Sequence, residues 1–165
     1  MSSDLKRLLV ERPLILDGAM GTMIQNAKLT EADFRGAVFK NHSLPLKGNY
    51  DALSMTLPNL IEKTHLAFLQ SGADVICTNT FNATSIAQVD YGLDDYAYVL
   101  NKQSAIIASR AVKEHLSSQK SNLNNYVAGV LGPTNKTASI SSDVENPATR
   151  TVSFNDLSEA YTVAC

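Results

Sequence analysis

The chain has 165 residues, of which 44% are hydrophobic and 18% charged, with a formal net charge of −2. That is enough apolar material for one well-buried domain and too little length for two, and it excludes a disordered chain. The near-neutral balance leaves no basic footprint for nucleic acid, and no apolar run approaches the ~20 residues that cross a membrane.

In chain order, Leu8-Leu9-Val10 follows Lys6-Arg7 but is too short for a signal-peptide core, so a short N-terminal helix in a cytoplasmic protein is expected. Leu14-Ile15-Leu16 predicts a first strand that stops at Asp17-Gly18. Pro58 to Gln70 carries Leu60, Ile61, Thr64 and Phe68 along one helical stripe, with Thr56 as N-cap and Gly72 placed for a left-handed C-terminal turn. Val75-Ile76-Cys77 predicts a second strand, stopping at Thr78-Asn79-Thr80. Asp94 to Ser117 reads as a long helix in one or two pieces, with Asp94 and Asp95 at its positive end and Lys113 and His115 at the other. Tyr126 to Leu131 predicts a third strand, stopping at Gly132-Pro133. Pro133 to Val152 is a polar stretch without helical or strand periodicity, the kind of loop that is functional or mobile, and a lid over a site is one reading of it. A last helix begins near Ser153, with Asp156 completing a capping-box variant. Ala160 to Cys165 continues an apolar helical pattern without cap or breaker, so a fragment cut inside a helix is expected.

The three strands are continuously apolar, which predicts burial on both faces. Strands alternating with helices argue for an α/β fold with a parallel sheet, and ligands gather at the C-terminal strand ends of such sheets.

Those ends hold the candidate chemistry. In Asp17-Gly18-Ala19-Met20-Gly21-Thr22, the glycines let backbone N–H groups approach a ligand, a following helix N-terminus favours a carboxylate, and Asp17 can take an ammonium. Asp17 as a mere helix cap is the alternative. Cys77 to Thr84 crowds hydroxyls and amides at one strand end. Either Thr78 and Thr80 form a polar pocket wall with Phe81 covering apolar ligand surface, or the threonines are ordinary strand residues and Phe81 is core. Thr84 suits a helix cap, and Cys77 reads as an inert buried thiol. At Gly132-Pro133-Thr134-Asn135-Lys136, Gly132 permits close backbone approach and Lys136 could meet an anion, or the segment is only a turn.

Glu62 and His65 have the Glu-x-x-His spacing of di-iron helices, but no second pair is visible, so His65 is expected to flank the apolar stripe beside Ile61 and Leu69. His42 lies in a polar segment, and a helix end explains His115. Cys77 and Cys165 form no CxxC pair, which argues against a disulfide framework and against a zinc site made by these two alone. No Ser-His-Asp arrangement, P-loop or GxGxxG is present.

Taken together, Leu16-Asp17-Gly18-Ala19-Met20-Gly21-Thr22, Asp33-Phe34-Arg35-Gly36, Asn49-Tyr50-Asp51-Ala52-Leu53, Gly72 to Phe81 and Leu131 to Asn135 resemble the homocysteine S-methyltransferases, in particular the N-terminal homocysteine-binding module of the cobalamin-dependent methionine synthase branch. The resemblance runs from about Leu14 to Cys165. It implies a (β/α)8 TIM-type barrel of which residues 1–165 would supply roughly the first three βα units. It implies that Asp17 holds the amino group of homocysteine and that Gly18, Ala19, Met20, Thr78 and Phe81 line the amino-acid end. It also implies a zinc ion held by three cysteine thiolates from later strands. Neither Cys77 nor Cys165 matches a zinc ligand, so no catalytic or metal-binding residue is assigned to this chain. Cobalamin and methyltetrahydrofolate would be carried by further modules of the same parent chain, and the 165 residues alone are expected to be inactive and to hold no zinc. Two alternatives remain open: a methyltransferase using betaine or S-methylmethionine as donor, and a non-catalytic α/β binding module.

Overall fold

A computed structural model describes residues 3–118, 124–138, 145 and 151–165. Helix α1 is Ser3–Glu11, and a run of short helices follows: α2 Met20–Asn26, α3 Glu31–Arg35 and α4 Leu53–Thr56. Then come α5 Pro58–Gln70, strand β1 Val75–Cys77, α6 Ser85–Gln88, 3-10 turns at Val89–Tyr91 and Asp94–Tyr96, α7 Ala97–Ser118, β2 Tyr126–Ala128 and α8 Phe154–Ala164.

The predicted first strand is reduced to one parallel bridge, Leu16 to Val75. β1 and β2 pair in parallel, with Ile76 opposite Val127. The order is therefore the Leu14–Leu16 segment, β1, β2, each beside its predecessor in sequence. Successive strands of a (β/α)8 barrel are laid down in that order, but the described residues form no closed barrel. The Leu16 bridge is reinforced where side chains can reach it: Asp74 accepts the Ile15 N–H at 2.9 Å and both Arg12 amino groups at 2.8 and 2.6 Å. The Arg12 guanidinium holds the Asp74 carboxyl below its ordinary range.

Burial on both faces of every strand is corrected. Only Ile76 is fully buried in β1, β2 is half-buried throughout, and Ile15 and Leu16 are each 60% exposed. No described strand lies beyond the Leu14–Leu16 segment, so its apolar side chains stay open. The helices supply the core instead. Leu69, Ala73 and Ile76 pack with Ala108, Ala111 and Val112 between α5, β1 and α7.

A second core unites residues that showed no long periodic stripe: Ile24, Phe34, Phe39, Leu46, Ala52 and Leu53, with Ile61, Leu93 and Ile107. The short helices around it are secured by polar contacts. A Thr30–Asp33 capping box starts α3, and the Glu31 carboxylate accepts the Leu46 N–H at 2.9 Å and the Lys47 N–H at 2.7 Å. Arg35 pairs with Glu31 and donates to the carbonyls of His42 and Leu44.

The helix expectations hold with two refinements. Leu57, not Thr56, is the N-cap of α5, because Thr56 still belongs to α4 and Pro58 occupies the first helical position. The stretch from Asp94 divides into a 3-10 turn and α7. Gly72 has φ +100°, and the Ser153–Asp156 capping box opens α8. Most of the predicted loop from Pro133 to Val152 lies outside the described residues. Among the described residues no helix is long and apolar enough to cross a membrane.

Candidate functional site

The turn after β1 is fixed by its own side chains. Thr78 extends the ladder by donating its N–H to the Ala128 carbonyl at 2.9 Å. Its hydroxyl oxygen accepts the Val130 N–H at 2.9 Å, while the Thr80 hydroxyl donates to the Val130 carbonyl at 2.8 Å. The two hydroxyls are 2.7 Å apart. Since the Thr80 proton is committed to Val130, the proton between the hydroxyls belongs to Thr78. Thr78 therefore has no proton left for a ligand and can offer only a lone pair.

The next residues are held from below by a buried polar network. Asn79 donates its side-chain amide to the Tyr50 carbonyl at 2.7 Å and to the Ser54 hydroxyl at 3.2 Å, and its carbonyl accepts from Ser104 of α7 at 3.0 Å. Asn82 is gripped at both backbone groups. Its N–H goes to Asp51 at 3.0 Å, and its carbonyl accepts from Gln88 at 2.9 Å. Gln88 in turn accepts from Asn49 at 2.7 Å, and Gln88 and Asn49 are fully buried. Phe81, between these two anchored asparagines, is left 57% exposed. Its carbonyl lies against Gly132, where a Cβ would collide with it. The close approach expected at Gly132 is thus made by the protein's own backbone. The Gly132 carbonyl also accepts from the Tyr161 hydroxyl at 2.7 Å.

On the facing side, the Asp17 carboxylate accepts the Cys77 N–H at 2.8 Å. Asp17 is therefore not a helix cap; Ala19 holds the N-cap position of α2 and makes no side-chain cap bond. Burial, together with the neighbouring Asp17 carboxylate, pushes the Cys77 thiol up to about 11, so it stays protonated. Gly18 packs closely against Phe68, where a Cβ would sit 3.0 Å from a ring carbon and the ring would have to give.

These walls enclose a cleft of about 420 Å³. Of the residues expected at the amino-acid end, Asp17, Gly18, Met20, Thr78 and Phe81 line it together, and Ala19 does not. Exposure of Phe81 corrects the alternative that placed it in the core. Asn79 and Asn82, the amides of the crowded strand end, also line the cleft, as do Tyr50 and Asp51, to which the sequence reading gave no role. Asp51 is 3% exposed, and burial pushes its carboxyl up to about 6 against the Asn82 hydrogen bond, which lowers it. A polar pair, Asn49 and Asp51, inside an otherwise apolar segment was the available signal.

The remaining candidates lie elsewhere. Asn135 donates to Asp90 at 2.6 Å, and Lys136 lines no part of the cleft. Glu62 pairs with Arg110. His65 is fully buried, as its place on the stripe predicted, and neither ring nitrogen meets a described hydrogen-bond partner. Burial lowers its pKa, against Asp17 and Glu62. His42 bonds the Tyr91 carbonyl at 2.7 Å, and His115 is buried near the end of α7. Among the described residues no three His, Cys, Asp or Glu side chains gather to hold a metal ion, so they do not fit a zinc site. A second cavity, about 450 Å³, shares Thr78, Thr80 and Val130 but is otherwise walled by α7, by Gly129 and Leu131 after β2, and by the end of α8.

Two solved structures are similar in fold to this chain. The metallated form of the homocysteine methyltransferase MmuM from Escherichia coli matches with 26% identity and a TM-score of 0.62, over 78% of this chain and 41% of that one. Its oxidised form matches with 27% identity and a TM-score of 0.63, over 80% and 41%. The chain thus spans about two fifths of the length of these relatives. A family model described as homocysteine S-methyltransferase matches residues 14–165, which include every residue of the cleft. With parallel strands in sequential order and a cleft at their C-terminal ends, the chain belongs to the homocysteine S-methyltransferase family.

Proposed function

We propose that this chain forms the amino-acid-binding wall of a methyltransferase that methylates homocysteine, in the cobalamin-dependent methionine synthase branch. The observation that carries the reading is the single cleft shared by Asp17, Gly18, Met20, Thr78 and Phe81. In this assignment Asp17, already oriented by the Cys77 N–H, takes the ammonium. Backbone at Gly18 and Met20 faces the carboxylate, Thr78 offers a lone pair, and Phe81 covers the methylene chain. The three strand segments are the first of a (β/α)8 barrel, and residues 1–165 are the N-terminal part of that barrel domain.

Positioning of the amino acid is assigned to this chain, and activation of its sulfur is not. The zinc implied by the family resemblance would convert the thiol to a thiolate, and its ligands are assigned to strands beyond these residues. Cobalamin and folate modules are likewise assigned to the parent chain. Methionine formation in the cytoplasm follows from the same assignment.

The substrate assignment is tested by titrating homocysteine into the chain by calorimetry. Wild type is expected to bind, and Asp17→Ala to weaken binding by about 1.5–3 kcal/mol, one charged hydrogen bond. Equal affinity for the two would remove Asp17 from the site. The branch is tested by reading the coding frame past Cys165. Cobalamin and folate modules support it; a frame that stops soon after a barrel points instead to betaine or S-methylmethionine as donor.

A further inference from the structure

The Phe81 ring lines the cleft yet is largely open to solvent, so packing alone does not fix it. The backbone on either side of it is held instead. On one side the Thr80 hydroxyl donates to the Val130 carbonyl at 2.8 Å. On the other, side chains from distant segments hold both backbone groups of Asn82, the N–H by Asp51 at 3.0 Å and the carbonyl by Gln88 at 2.9 Å. A carbonyl only accepts, so the Gln88 group that meets it is the amide NH2. The Gln88 oxygen then faces Asn49, whose amide donates to it at 2.7 Å. The Asn49 oxygen is committed in turn, accepting the Ala52 N–H at 3.2 Å at the start of α4. Backbone groups at the two ends thus fix the sense of each bond in the series Ala52, Asn49, Gln88, Asn82.

Gln88 and Asn49 are fully buried. Burying two amides costs desolvation that an apolar pair would avoid, and what it provides is direction. A methionine at position 88 would fill similar space and leave the Asn82 carbonyl without this donor. Gln88 belongs to α6 and is not among the residues that line the cleft, so it acts on a ligand only through the turn. We infer that Gln88 is a positioning residue for Phe81: by locking the Asn82 carbonyl it keeps the ring in one place over the cleft, and so sets the length of ligand chain that the cleft prefers. This rests on the amino-acid reading above, in which Phe81 covers the methylene chain. A ring in one place is always competent to bind, whereas a wandering ring is competent part of the time and affinity falls by that fraction. A fixed apolar wall also tells chains apart, since one methylene in such a contact is worth about tenfold or more.

The test is a double-mutant cycle on the full chain. Wild type, Gln88→Met, Phe81→Ala and the double variant are titrated by calorimetry with homocysteine and with cysteine, its homologue one methylene shorter. Urea unfolding confirms that each protein is folded. If Gln88→Met does not fold, Gln88→Asn, which keeps the amide but falls one methylene short of Asn82, takes its place in the cycle. Wild type is expected to prefer homocysteine, and Phe81→Ala to lose most of that preference. Gln88→Met is expected to weaken homocysteine about threefold to tenfold, as one hydrogen bond implies, and cysteine by less than about twofold. In the Phe81→Ala background Gln88→Met is expected to change homocysteine binding by less than about twofold, because the residue it acts through is gone. If Phe81→Ala weakens homocysteine and Gln88→Met does not, the positioning role is overturned and the amino-acid reading stands. Equal loss for both ligands, or a full further loss on top of Phe81→Ala, also overturns it, by reducing Gln88 to general support. If Phe81→Ala changes neither ligand, the role of Phe81 falls and this inference with it. If wild type binds neither ligand, the amino-acid reading itself falls.

Discussion

Asp51→Asn should stabilise the chain at neutral pH. The ordinary carboxyl value of 3.8 is pushed to about 6 at Asp51, mainly by burial. A difference of that size corresponds to about 3 kcal/mol. The sign follows from proton uptake. Between pH 4 and 6 the folded chain holds a proton on Asp51 that the unfolded chain has released, so folding is favoured there by acid. The protonated residue's contribution is fully present below 3.8 and is lost as pH rises through about 6. Asparagine, which does not titrate, keeps it at every pH. Urea unfolding at pH 4, 5, 6 and 7.5 measures both proteins. The stability difference in favour of Asp51→Asn should widen by about 2.5 kcal/mol from pH 4 to 7.5, with its steepest rise near pH 5, midway between the two values. Other carboxylates titrate in the same range, but they are common to both proteins and cancel in the difference. A difference that stays flat over this range would refute an uncompensated charge at Asp51.

Two further outcomes check the walls of the cleft. Gly132→Ala places a methyl group against the Phe81 carbonyl, so thermal unfolding should show a loss of about 1–3 kcal/mol, as for overpacking, together with weaker homocysteine binding; unchanged stability would mean that the two strand ends are not in contact. Cys77, with its thiol pushed up to about 11, should be roughly a thousandth thiolate at pH 8. Iodoacetamide followed by peptide mass spectrometry should find exposed Cys165 modified first, and equal rates would contradict the Asp17–Cys77 contact.

What could be read in the sequence was whatever local chemistry enforces. The Ser153–Asp156 box and the turn at Gly72 are decided within a few residues and are found where expected, while of the expected α5 stripe Ile61 and Thr64 are buried and Leu60 and Phe68 only half-buried. Leu14–Leu16 reads as a strand from composition, yet a strand exists only through its neighbours, and it meets just one, at Val75. The 20–56 region escaped because its helices are one or two turns long, too short for an apolar stripe to repeat. Strand ends announced the cleft through small polar residues and glycines. Asp51 and Gln88 come from segments that end no strand, and only the folded chain brings them to the Asn82 backbone. Thr78 shows the opposite gap. Its presence at the cleft was legible, but its spent proton is a property of the network with Thr80 and Val130.

The side-by-side order of the Leu16 bridge, β1 and β2 bears on how the molecule is made. A chain emerges from the ribosome N-terminus first, so each strand meets a partner that has already been synthesised. When Asp74 appears, Arg12 and Ile15 are waiting for it; when Tyr126 appears, Val75 is in place. No strand in this order must stand open until a later one is inserted between it and its neighbour, as a sheet with interleaved order would require. Growth proceeds at one edge, and the youngest strand is always the template for the next.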